Sequence, residues 1–104
     1  LVMKGDTLSQ LVDNGIPAIS EYDKKLKMVW FIPRKVTTKK TKNDVPYYVL
    51  EVIDDNNVIT TIRCWGVNLL KDRIQLNRPY IAKIDYNDQW GFSTRSMYHN
   101  FRVV

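Results

Sequence analysis

Along residues 27–97, apolar and polar positions alternate in short runs rich in β-branched and aromatic residues, with turn-forming tracts between the runs. A period of two is the mark of half-buried strands. Five strands are predicted: 27 to about 38, 47–53, 58–65, 80–86 and 90–97. Pro33 lies inside the first and implies a bend or an edge position there, because proline has no N–H to donate to a ladder. Asp54-Asp55-Asn56-Asn57 and Asn87-Asp88-Gln89 suit hairpin turns. The basic stretch 39–45 forms a third turn, and a short helical turn is predicted over 66–72, where Val67 and Leu70 with Ile74 would close one end of the body. Residues 6–12 follow a different, helical period. Asp6 or Thr7 is the expected N-cap, Leu8, Leu11 and Val12 form one face, and Asn14-Gly15 followed by Pro17 is the stop. Residues 1–23 are therefore expected to be a helical lead-in, packed on the body or left from a preceding domain, and residues 24–104 the main domain.

Strand alternation also assigns faces. On the third strand, Val58, Thr60, Ile62 and Cys64 read as inward and Ile59, Thr61, Arg63 and Trp65 as outward. On the second, Tyr48, Leu50 and Val52 read as inward, placing Tyr47, Val49 and Glu51 on the surface that Arg63 shares. Trp30 and Phe31 face opposite ways, so one of them at most is a ligand platform. Trp90 and Phe92, on one face of the fifth strand, read as core.

Length and charge narrow the picture. A chain of 104 residues is one domain. No apolar run approaches the roughly 20 residues of a membrane helix, and no signal-peptide pattern stands at the amino end. Position 1 is Leu rather than Met, which leads to the expectation that the chain is part of a longer protein. The single cysteine, Cys64, excludes an internal disulfide framework and fits a cytoplasmic location. The net charge is +5, and it is unevenly placed: Lys24, Lys25, Lys27, Arg34, Lys35, Lys39, Lys40 and Lys42 fall in one stretch without an acid. Such a run collects phosphates.

Catalytic signatures are missing from the sequence. It contains no Walker loop, dinucleotide fingerprint, nucleophile elbow or histidine-carboxylate metal spacing. His99, the one histidine, has no partner at catalytic spacing and reads as a surface residue, Asp54 and Asp55 read as turn formers, and Cys64 as core. The chain is thus expected to be no enzyme in itself, with no metal, cofactor or small-molecule substrate.

Three strands, a short helix and two more strands is the order of the OB-fold, a five-stranded Greek-key barrel that binds oligonucleotides. Small SH3-like barrels share part of that order. Within it, Thr41-Lys42-Asn43-Asp44-Val45-Pro46-Tyr47, followed by Tyr48-Val49-Leu50-Glu51-Val52 and a turn at Asp54, resembles the OB domain of bacterial replicative DNA polymerase III alpha subunits. The likeness covers about 41–65 as sequence and about 28–97 as strand order. The strand-two and strand-three part is also similar to the anticodon-binding OB domains of class II aminoacyl-tRNA synthetases. Asp44 stands where the family commonly has glycine, and Asn56-Asn57 replaces a glycine-containing hairpin. The resemblance implies an all-β OB barrel from a bacterial or phage replication protein, whose parent would be a DNA-directed DNA polymerase.

The expected function is sequence-tolerant binding of single-stranded DNA. Arg34, Lys35, Lys39, Lys40, Lys42 and Arg63 would neutralise phosphates, and Tyr47 with Trp65 would stack bases. The partners implied are single-stranded DNA and other domains of the parent polymerase. Two alternatives stay open: a module that docks another domain or protein without touching nucleic acid, and an RNA-binding domain of the anticodon type.

Overall fold

The computed structural model describes residues 5–66, 74–95 and 101–104, with side chains from residue 7 onward. Helix α1 (Gly5–Asp13) is followed by a 3-10 turn (Ile19–Glu21) and seven strands: β1 (Met28–Lys40), β2 (Pro46–Ile53), β3 (Thr60–Cys64), β4 (Tyr80–Lys83), β5 (Asp85–Asn87), β6 (Gly91–Thr94) and β7 (Phe101–Val103). They form one curled, open, mixed sheet in the order β5-β6-β3-β2-β1-β4-β7. Every pairing between these strands is antiparallel except β3 with β6, which is parallel, and an isolated parallel bridge joins Ala18 to Trp30. None of the described helices is long or apolar enough to cross a membrane.

The mostly β class and the amino-terminal helix agree with the sequence reading, and several elements differ from it. The predicted fourth strand is two strands. β4 pairs with β1 and β5 pairs with β6, because the chain changes partners at Ile84, a buried residue whose N–H donates to Lys27 O at 3.0 Å. β7 adds a seventh strand against β4. β3 begins at Thr60, so Val58, expected inward, lies with Ile59 in the loop before it and both are exposed. α1 begins at Gly5, which puts Asp6 and Thr7 in its first turn rather than at the cap. Its stop is as expected: Gly15 takes φ +70°, and Ile16 N–H reaches back to Leu11 O at 3.0 Å, as in a left-handed helix terminus. Leu11 is buried and Leu8 half-buried, whereas Val12 points to solvent. The helical turn expected over 66–72 falls, Gly66 apart, outside the described residues.

Two apolar clusters lie on opposite faces of the sheet. Inside the curl are Ile19, Val29, Phe31, Leu50, Val52, Ile62, Cys64, Tyr80, Ala82 and Ile84. Fully burying a Val, Leu, Ile or Phe side chain among these is worth about 1.5–3 kcal/mol. On the outer face Trp30, Ile32 and Ile53 pack against Leu11 and Ala18 of the lead-in. Trp30 N–H donates to Pro17 O at 3.0 Å, anchoring the lead-in along β1. The buried carboxylate of Asp54 adds a second anchor, accepting from Ser20 N–H at 3.0 Å and Asn56 N–H at 2.9 Å. Trp30 and Phe31 do face opposite ways, and both are core.

A bulge in β1 decides what the outer face carries beyond the lead-in. Pro33 pairs with Val52 and Lys35 with Glu51, which leaves Arg34 as the extra residue. The shift of one residue reverses the alternation. Val36 thereby turns toward the inner core, while Lys35, Thr37 and Lys39 share the outer row with Glu51, Val49 and Tyr47.

Candidate functional site

The outer row of β2 runs from Ile53, covered by the lead-in, through Glu51 and Val49 to Tyr47. Beyond the reach of that cover the chemistry changes. Val49 pairs with Arg63 of β3, and Arg63 pairs with Ser93 of β6, extending the row across three strands. Tyr47 stacks on Trp65 with ring centroids 4.4 Å apart and planes 22° from parallel. Both rings are half-buried. The Trp65 backbone is fixed by its N–H donating to Thr94 O at 2.8 Å.

The long β1–β2 hairpin carries the cations to this end. Lys39 is opposite Tyr47 and Lys40 opposite Pro46. At the turn, Thr41 Oγ1 accepts from Asn43 N–H at 3.3 Å and Val45 N–H at 3.2 Å, and Thr41 N–H donates to Val45 O at 3.0 Å. Asp44 takes φ +62°, a left-handed backbone that glycine adopts most easily. Asn57, in the β2–β3 turn, takes φ +57°. The two departures from glycine noted in the sequence thus sit on left-handed positions, which Asp and Asn tolerate better than most residues.

The structure brings Lys39, Tyr47, Trp65 and Arg63 to one face, with Lys35 further along the same row. Lys40 belongs to the opposite row by alternation, and Lys42 is in the exposed turn. Arg34, the bulge residue, stands apart. It lines a shallow depression with Glu51, Ile53, Asn57 and Ile59, toward the other end of the hairpin. The basic run of the sequence is therefore divided. Lys24 lies 3.7 Å from Asp88 and Lys27 3.3 Å from Asp85, exposed pairs that offset their charge at the β5–β6 hairpin.

Trp90 was expected in the core, and it is 60% exposed. It lies in the turn before β6, where strand alternation does not apply. The Arg63 guanidinium is over its ring, 5.6 Å from the centroid. Phe92, by contrast, packs on the inner core and makes an edge contact with Tyr22 at 5.1 Å. The sequence did hold one signal for Trp90: it immediately follows the Asn-Asp-Gln turn tract.

Chemically, the face offers aromatic rings, cations and the carboxylate of Glu51. Among the described residues no cluster of His, Cys, Asp or Glu could hold a metal ion. Burial pushes the Cys64 thiol up to about 12, so it stays protonated and unreactive at neutral pH. His99 lies outside the described residues. Comparison with known proteins finds no protein family, curated protein or solved structure that matches this chain.

Proposed function

We propose that this chain is a single-stranded DNA-binding module of the OB type, belonging to a DNA replication protein of the polymerase III alpha kind that residues 41–65 resemble. The strand pairings support the finer fold. β4 and β5, at or near opposite ends of the sheet order, are separated in sequence by Ile84 alone. Taken as one strand that turns the corner, they would make β1–β2–β3, this strand and β6 the five strands of a Greek-key barrel, with β3 and β6 parallel.

The observation that carries the functional reading is the stacked Tyr47–Trp65 pair, half-buried at the end of a face with Lys39 and Arg63 beside it. An aromatic surface accepts any base, at about 1–3 kcal/mol per base stacked, and neighbouring cations neutralise the phosphates. Neither contact selects a sequence. The module reads flexible single strands because their bases are free to leave a stack, whereas those of a duplex are already paired.

Fluorescence anisotropy of a labelled single-stranded oligonucleotide tests this, with duplex DNA and RNA as competitors, at low and near-physiological salt. Salt-sensitive binding that prefers single-stranded DNA and is lost in the triple variant Lys39→Glu/Lys40→Glu/Lys42→Glu is the expected result. Absence of binding even at low salt rejects the reading.

A docking module is the second reading, and the exposed Val58 and Ile59 near the Arg34 depression favour it. Preference for particular RNA sequences in the same titration would instead support the anticodon-type alternative.

A further inference from the structure

We propose that Trp90 is a second base-stacking station, separate from the Tyr47–Trp65 pair, and that Arg63 is the residue that positions its ring. The inference rests on the nucleic-acid reading of the outer face and adds to it where a bound strand must run.

Three observations carry it. First, Trp90 is the most exposed aromatic side chain among the described residues. Exposing an indole forgoes the burial that stabilises a small domain, and rings left open in this way are typical of recognition surfaces. Second, the turn that presents it is ordered by its own residues: Asn87 Oδ1 accepts from Gln89 N–H at 2.8 Å and from Trp90 N–H at 3.1 Å. Third, the Arg63 guanidinium lies 5.6 Å from the ring centroid. A cation over one face holds the ring by attraction to its π electrons and leaves the opposite face for a base.

Register places the two stations on either side of Arg63. β6 runs parallel to β3 with Arg63 opposite Ser93, so Trp90 lies toward the Thr60 end of β3, while Trp65 follows the other end. At about 3.3 Å per residue, their backbone positions are roughly 15 Å apart along the strand direction. Adjacent stacked bases are about 3.4 Å apart, much less than this backbone separation, so the two stations suit bases that are not neighbours in the strand. A strand bound to both must cross the sheet over Arg63 with at least one nucleotide between them.

The test uses tryptophan emission in Trp65→Phe, where Trp90 is the exposed indole and Trp30 is buried. Titration with a twelve-residue oligothymidylate should quench the Trp90 emission and shield it from iodide. Trp90→Leu should bind the same oligonucleotide roughly 5- to 150-fold more weakly than the wild type, the range that one stacked base supplies. Its thermal midpoint should match the wild type, since an exposed turn residue is replaced. Arg63→Gln should raise the mobility of the Trp90 ring in the free protein, seen as lower emission anisotropy, and Arg63→Lys should restore part of it. If the wild type binds but Trp90→Leu binds equally well and Trp90 emission does not respond, the second station is wrong while the module reading stands. If the wild type binds no oligonucleotide, the module reading has failed and the station falls with it.

Discussion

The outer face of the sheet has two halves, and the contrast between them is instructive. Near the start of β1 it carries Trp30, Ile32 and Ile53, all buried beneath Leu11 and Ala18 of the lead-in. Toward the β1–β2 turn it carries Tyr47, Arg63 and Trp65, half-buried and uncovered by that cluster. Both halves hold an indole on the same side of the same sheet. What separates them is the lead-in, which converts one half into core and leaves the other uncovered. A tryptophan on this face is core or partly exposed surface according to what covers it, with no change in its own chemistry.

Substitutions should divide along the same line. The largest effect is expected at Trp30→Ala, where losing a fully buried indole costs about 3–5 kcal/mol, enough to unfold much of a domain of ordinary stability. Urea denaturation followed by circular dichroism measures it, and a loss below 1 kcal/mol would mean that the lead-in does not cover this half in solution. Asp54→Ala comes next. It removes the carboxylate that accepts from Ser20 and Asn56 N–H groups, at a cost of about 1–3 kcal/mol in the same assay.

On the open half, Tyr47→Leu should cost no more than about 0.5–1.5 kcal/mol of stability, the worth of one aromatic pair beyond its buried area. Its main consequence should be weaker oligonucleotide binding by anisotropy. A Tyr47→Leu variant as unstable as Trp30→Ala would erase the distinction between the halves.

The smallest effect at neutral pH concerns Cys64, on the inner face behind this half. Its thiol loses a proton near 12 in the folded chain, because burial penalises the thiolate, and at an ordinary value near 9 in the unfolded one. As pH rises from 9 to 12 the unfolded chain gives up that proton first, so stability falls across this window and is unaffected below it. Cys64→Ala should show a shallower decline over the same interval in urea titrations at stepped pH.

Much of the open half was legible in the sequence. Alternation over 47–53 and 58–65 separated Leu50, Val52, Ile62 and Cys64 from Tyr47, Val49, Arg63 and Trp65, because one row must face a core and a strand has only two faces, but it also placed Val58 inward, and Val58 is exposed before β3 begins. Pro33 announced an irregularity, and a bulge is there. Errors fell where alternation carries no information. Trp90 was given a strand's face although it sits in a turn, and Val12 was given to the helix's buried face although the short helix covers the sheet with Leu8 and Leu11.

By itself, then, the sequence determined the β-rich class, the helical lead-in, the inner and outer rows of β2 and β3, and the concentration of positive charge before residue 43. Only the tertiary structure decided that Arg34 is spent in a bulge away from the rings, that Lys24 and Lys27 face acids of the β5–β6 hairpin, and that Arg63 meets Trp90. The reason is physical. Alternation is set by local backbone geometry and is written in neighbouring residues, whereas which strand lies beside which, and what covers a face, depends on contacts between segments tens of residues apart.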